Sequence, residues 1–145
     1  MNDNPSNSST LAPSWPADFP AACPPTEANN AAGVVFRYLR PDSSSPSAVD
    51  FRQTRYDVPH RDYAGLECQS CGVSVNSDKA ESLALSAKFP KAFRNRKLAK
   101  GMLQPIFGKT LPTPSEVAGA HHLTWWIFAG IDPATSFAVT DEELL

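Results

Sequence analysis

Between Val34 and Leu39 the chain runs Val-Val-Phe-Arg-Tyr-Leu, a β-branched and aromatic segment closed by Pro41, which predicts a strand suited to the middle of a sheet. Pro46-Ser47-Ala48-Val49-Asp50-Phe51 predicts a short helical turn, with Ser45 as cap and proline in the first helical position. Residues 52–67 are charged and carry no period. Gly72 to Val75 predicts a short strand, and Asp78 with Glu81 three residues on approximates a capping box for a helix. Ala80, Leu83, Ala84 and Ala87 fall at i, i+3, i+4 and i+7, a single apolar stripe that ends at Phe89-Pro90. Lys97 to Leu103 predicts another strand, with Pro105 and Gly108 marking its exit. Leu123 to Phe128 is a further strand, and its nearly continuous hydrophobicity implies burial on both faces or the wall of a dry pocket. There is no internal repeat. Strands separated by one good helix and long connections predict an α+β domain: a small mixed or antiparallel sheet with one main helix.

Composition changes this picture at the two ends. Six of the 14 prolines lie in the first 30 residues, which hold no Lys or Arg and many Asn, Ser and Ala. Such a stretch buries too little apolar area to offset the entropy of ordering it. Residues 1–31 are therefore expected to be a disordered Pro/Ser/Asn-rich arm, residues 32–139 a single domain, and residues 140–145 an acidic tail. Trp15 and Phe19 are the exceptions in the arm, two aromatics between prolines that could dock on the domain. The chain of 145 residues carries a net charge of −2, with no apolar run long enough to span a membrane and no secretory leader pattern in its first residues. A soluble cytoplasmic protein is the expectation. The cysteine number, three, is odd, and a domain of this size can bury a core without covalent staples, so disulfides are not expected to organise the fold.

Cys68-Gln69-Ser70-Cys71-Gly72 has the spacing that lets two thiolates reach one tetrahedral zinc, the glycine relieving the crowding of a tight knuckle. It is half a site, which Cys23, His60, His121 or His122 would have to complete, and His60 is nearest in sequence. A redox pair is a second reading, weakened because Cys71 runs into a strand rather than a helix N-terminus. The third reading, two small half-buried residues at the start of a strand, is the commonest outcome for a lone pair.

His121-His122-Leu123-Thr124-Trp125-Trp126 is the densest chemistry in the chain. Strand alternation sends His122, Thr124 and Trp126 to one face and His121, Leu123 and Trp125 to the other. One face then offers imidazole, hydroxyl and indole, a combination suited to stacking a planar ring on Trp126 while His122 and Thr124 hydrogen-bond or exchange a proton. The competing reading is a core strand whose polar groups are satisfied by backbone.

Lys88, Lys91, Arg94, Arg96, Lys97 and Lys100 form a basic stretch with Phe89 and Phe93 interleaved, while residues 110–145 hold five acids and no Lys or Arg. Nucleic acid is not favoured, because the chain as a whole is acidic; a solvated helix end, or steering of an anionic ligand, accounts for the pattern. Arg37 in a central strand is costly to bury unpaired, so it either binds a carboxylate or phosphate or points to solvent.

Taken together, Phe36-Arg37-Tyr38, Asp50-Phe51, Cys71-Gly72-Val73-Ser74-Val75, Ala99-Lys100-Gly101-Met102-Leu103 and His122-Leu123-Thr124-Trp125-Trp126 resemble the pattern of small uncharacterised bacterial proteins. The order also resembles ADP-ribosyltransferase-like toxins. That resemblance implies a nicotinamide dinucleotide (NAD), with Arg37 holding its pyrophosphate and Ser74 supporting the nicotinamide ribose. The late catalytic glutamate of those enzymes has no matching motif around Glu116. Three functional expectations result. The first is a domain binding a small anionic or nucleotide-like ligand, or a protein partner, through Arg37, His122, Thr124 and Trp126. The second is a transferase with His122 as acid/base, and the third a zinc-stabilised adaptor using Cys68, Cys71 and His60.

Overall fold

The computed structural model describes residues 13–140. Its strands are β1 (Asn29–Asn30), β2 (Gly33–Tyr38), β3 (Val73–Asn76), β4 (Leu98–Leu103), β5 (Gly108–Pro112), β6 (His122–Ile127) and β7 (Phe137–Val139). They form one seven-stranded sheet in the order β1-β5-β6-β3-β2-β4-β7, antiparallel at every junction. The helices are short: α1 (Thr54–Asp57), α2 (Glu67–Ser70) and α3 (Lys79–Lys88). The fold is thus α+β but dominated by its sheet, not by one main helix. The segments read as strands coincide with β2, β3, β4 and β6. Unforeseen β1 and β7 are two and three residues long, and β5 is bounded by Gly108 and Pro112, which interrupt the hydrophobic pattern.

The adjacent tryptophans of β6 anchor opposite faces of this sheet, as alternation requires. Trp125 is wholly buried among Val35, Leu39, Val73, Val75 and Leu103. Its ring stacks on Phe137 at 5.9 Å and meets Phe51 edge-on at 6.1 Å, each buried aromatic contributing roughly 1.5–3 kcal/mol. Trp126 lies in a second cluster with Cys23, Ala28 and Cys71, onto which Trp15, Phe19 and Leu111 pack. Residues 13–31, expected to belong to a disordered arm, therefore dock on the domain. Trp15 lies 4.4 Å from Phe128, and Ala129 N–H donates to Ser14 O at 2.8 Å. Asp18 accepts from Tyr56 Oη at 2.6 Å and pairs with Arg55 at 3.1 Å, which hold its carboxyl below the usual range. Residues 1–12 and the acidic residues 141–145 lie outside the described part.

Cys23 and Cys68 are joined by a disulfide, leaving Cys71 as a buried free thiol. Covalent bridging was not expected, because three cysteines cannot all pair and a domain of this size needs no staple; docking of Trp15 and Phe19 is what brings Cys23 to α2.

The apolar stripe of α3 also departs from expectation. Asp78 caps the helix, its side chain accepting from Ala80 N–H at 2.9 Å, but Ala80, Leu83, Ala84 and Ala87 face outward and Ser82 is the buried residue. Polar pins hold the helix to the sheet: Tyr38 Oη donates to Ser82 O at 2.9 Å, and Glu81 accepts from Asn76 Nδ2 at 3.0 Å and from His121 N–H at 2.9 Å. The turn Ala48–Phe51 forms as read, capped by Ser47 rather than Ser45, its N–H donating to Asp50 Oδ2 at 2.9 Å. No helix among the described residues is long and apolar enough to cross a membrane.

Candidate functional site

One face of the sheet is covered at both ends, by α3 against β2 and β3 and by the docked arm over Trp126. Ser74, on β3 between them, stays exposed. The opening is enlarged because β2 and β3 pair through a single position, Phe36 with Asn76. Arg37 fills the gap where the ladder parts. Its Nε donates to Asp50 O at 2.6 Å, Nη1 to Ser74 O at 2.7 Å and Nη2 to Asp57 Oδ2 at 2.9 Å. Burial pulls its pKa down to about 10, with Asp57 opposing, so it remains a cation at neutral pH. Asp50, itself buried, accepts from the N–H groups of Arg40 and Ser47 at 2.8 and 2.9 Å and so fixes the loop that presents its carbonyl. Arg37 thus does bind a carboxylate, but an internal one, and all three arms of its fork are spent.

A chain of polar groups runs along the exposed strip. Ser74 Oγ is hydrogen-bonded to His122 Nε2. On the other side of the ring, His122 Nδ1 lies 2.9 Å from both Thr113 O and Thr113 Oγ1, and that hydroxyl lies 2.9 Å from Thr124 Oγ1. A carbonyl oxygen only accepts, so Nδ1 carries the ring proton and Nε2 is left to accept from the Ser74 hydroxyl. Burial pushes the His122 pKa below its ordinary value of 6.5, against a smaller opposing effect of the Thr113 backbone, and the ring is neutral at pH 7. Thr124 is buried, its methyl pressed against Gly72: a Cβ there would meet Thr124 Cγ2 at 2.3 Å. The glycine after Cys71 thus makes room for a strand neighbour, not for a metal knuckle.

Of the expected site residues, the structure brings together Arg37, Ser74, His122 and Thr124, and separates Trp126 from them functionally. Trp126 shares the face of Ser74, His122 and Thr124, yet its ring is sealed under the arm and its Nε1 donates to Cys68 O at 2.8 Å, so it has no free surface on which a ligand could stack. The zinc set Cys68, Cys71 and His60 is not formed: the Cys68 sulfur is bonded to Cys23, and His60 is exposed. Burial raises the Cys71 thiol, which makes it an inert core residue. His121 belongs to a different cluster, with Asp78 and Glu81, whose ligand-capable atoms lie within 4.8 Å of one another. Its Nδ1 donates to Glu81 Oε2 at 2.6 Å, raising the histidine and holding the Glu81 carboxyl at about 2. In the basic stretch, Arg96 turns inward and donates to Leu39 O at 2.7 Å, while Lys88, Lys91, Arg94, Lys97 and Lys100 are exposed.

Two clefts meet at the Ser74–His122 pair. The first, of about 410 Å³, is lined by Arg37, Arg40, Arg52 and Arg96 against a single carboxylate, Asp57, with the rings of Tyr38 and Phe93 in its wall. The second, of about 400 Å³, is lined by Tyr63, Leu66, Pro114 and Val117 among others. Thr54, Ser74, Ala118 and His122 border both. Thr113, between two prolines in an irregular loop, carried no sequence signal, and Ser74 was singled out only through a resemblance; pairing of β3 and β6 is what unites them with His122. Comparison with known protein families, with curated proteins and with solved structures gives no match.

Proposed function

We propose that the chain binds a small anionic, ring-bearing ligand of nucleotide-like chemistry in the first cleft. The observation that carries this reading is the charge of the cleft: four arginines and one acid, Asp57, line it, with the buried Asp50 behind Arg37, in a chain whose net charge is −2. A cleft of one sign walled by low-dielectric side chains concentrates ligands of the opposite sign. Arg37 is spent on internal acceptors, so Arg40 and Arg52 are the cations assigned to the ligand; Arg40 is exposed, and Arg52 is exposed while sharing Asp57. The Tyr38 and Phe93 rings, 4.7 Å apart, offer the apolar wall for a base or other flat group. Under this reading, the pyrophosphate role that the transferase resemblance implies for Arg37 passes to its neighbours. The Cys23–Cys68 bond favours an oxidising compartment over the cytoplasm expected from composition.

The test is a titration with adenosine monophosphate and with NAD, followed by backbone NMR shifts and calorimetry. Binding tighter than about 1 mM, with shifts confined to Tyr38, Phe93, Ser74 and neighbours, is expected. Arg40→Gln with Arg52→Gln should weaken it about tenfold or more, and added salt should weaken it in the parent protein. No shift with either probe at several millimolar, or equal affinity in the double variant, overturns the reading.

A further inference from the structure

We propose that Ser74 and His122 form a nucleophile and base pair that cleaves carboxylic esters of short acyl groups, the acyl group seated in the second cleft. The geometry supplies what such a pair needs. The hydroxyl is solvent-accessible, it is hydrogen-bonded to an imidazole nitrogen that has no proton, and a fixed acceptor, the Thr113 carbonyl, orients the other ring nitrogen. The ring is neutral at pH 7, as a base must be before it acts. Leu66, Pro114 and Val117 give the second cleft an apolar wall for a small acyl chain, and the pair stands at its junction with the arginine-lined cleft.

The step balances within the pair and water. Ser74 Oγ bonds to the ester carbonyl carbon as its proton passes to His122 Nε2. The carbon–oxygen bond to the alcohol breaks, and the imidazolium proton goes to the departing alkoxide. A water molecule then adds to the acyl carbon, giving one proton to Nε2; the acid leaves and Oγ takes that proton back. His122 Nδ1 keeps its proton on Thr113 O throughout, so Thr113 is a positioning residue.

The probe is a neutral fluorophosphonate, applied to the intact chain with its disulfide oxidised, and the readout is peptide mapping by mass spectrometry. The expected result is one adduct, on Ser74. Its rate should climb with pH to a plateau whose midpoint lies below 6.5, the direction in which burial moves His122. The charged groups lining the clefts around that ring are Arg37, Arg40, Arg52, Asp57, Arg61 and Arg96. His122→Gln should slow labelling by about a hundredfold or more, the scale of a general base, and p-nitrophenyl acetate should be turned over by the parent and not by Ser74→Ala. The parent measurement decides the matter even if a variant fails to fold. Absence of an adduct, an adduct only at other hydroxyls, or a midpoint at or above 6.5 overturns the proposal. Because both probes are uncharged, their failure leaves the anion-binding reading untouched, and failure of nucleotide binding leaves this one standing.

Discussion

Replacing Arg37 by leucine separates two roles that the sequence left open, a ligand clamp and an internal brace. The side chain is 9% exposed, and its guanidinium serves two backbone carbonyls, Asp50 O and Ser74 O, besides Asp57. Leucine leaves both carbonyls without that donor, at about 1–3 kcal/mol for the part-buried Asp50 O and under about 1 kcal/mol for Ser74 O, which water can reach. Asp57 adds little, since it keeps Arg52 at 3.0 Å and is 20% exposed. The expected loss is about 1–4 kcal/mol. At roughly 3–4 °C per kcal/mol for a domain of this size, the thermal midpoint should fall by about 3–16 °C. Urea unfolding followed by the fluorescence of the buried Trp125 and Trp126 measures it. Arg37→Lys, which keeps a charge but not the planar fork, should fall between. Arg40→Leu, three residues along and exposed, should change stability by less than about 0.5 kcal/mol. If Arg37→Leu unfolds at the parent midpoint while nucleotide binding disappears, the brace argument is wrong and Arg37 is the anion clamp.

The disulfide and the two neighbouring histidines give further predictions. The Cys23–Cys68 bond closes a loop of 45 residues, which the chain-entropy estimate values at about 4 kcal/mol. Reduction should therefore lower the urea midpoint by about 2 M at an m-value of roughly 2 kcal/mol/M. In denaturant without reductant a single thiol should titrate; three would show that the bond does not form. In proton NMR, His121 should titrate above 6.5 and His122 below it, because Glu81 favours the charged form of one and burial disfavours that of the other. The signs for stability are opposite. The His121–Glu81 contribution is complete between about pH 4.5 and 6.5; it fades as pH rises through the elevated histidine pKa, or falls towards the Glu81 value of about 2. Protonating His122 below 6.5 instead costs stability, down to its lowered native pKa. Glu81→Gln should return His121 towards its ordinary value and leave His122 unmoved; identical shifts in both rings would contradict the separation of the two clusters.

Local pattern was enough to place β2, β3 and β6, because each is a short run with β-branched or aromatic side chains bounded by Pro, Gly or polar residues, to place β4, an apolar run whose exit is marked by Pro105 and Gly108, and to place α3, because Asp78 is a capping residue in the right position. It also put His122, Thr124 and Trp126 on one face, since that follows from the twofold repeat of a strand. Whether a face is open or closed is not a local property. Trp126 lost its surface to Trp15, Phe19 and Cys23, which lie about a hundred residues earlier, and the apolar stripe of α3 turned outward because polar pins at Ser82 and Glu81 set the helix rotation.

What this sequence determined by itself was four of the seven strands, the helix start and the chemical character of β6, all consequences of side-chain shape and backbone preference within a few residues. Tertiary structure alone decided that Cys23 joins Cys68, that Arg37 braces a gap between two strands, and that Ser74 meets a histidine held by Thr113. Those contacts join residues separated by nine to 48 positions. Their geometry comes from the strand order β5-β6-β3-β2, which no stretch of neighbouring residues encodes.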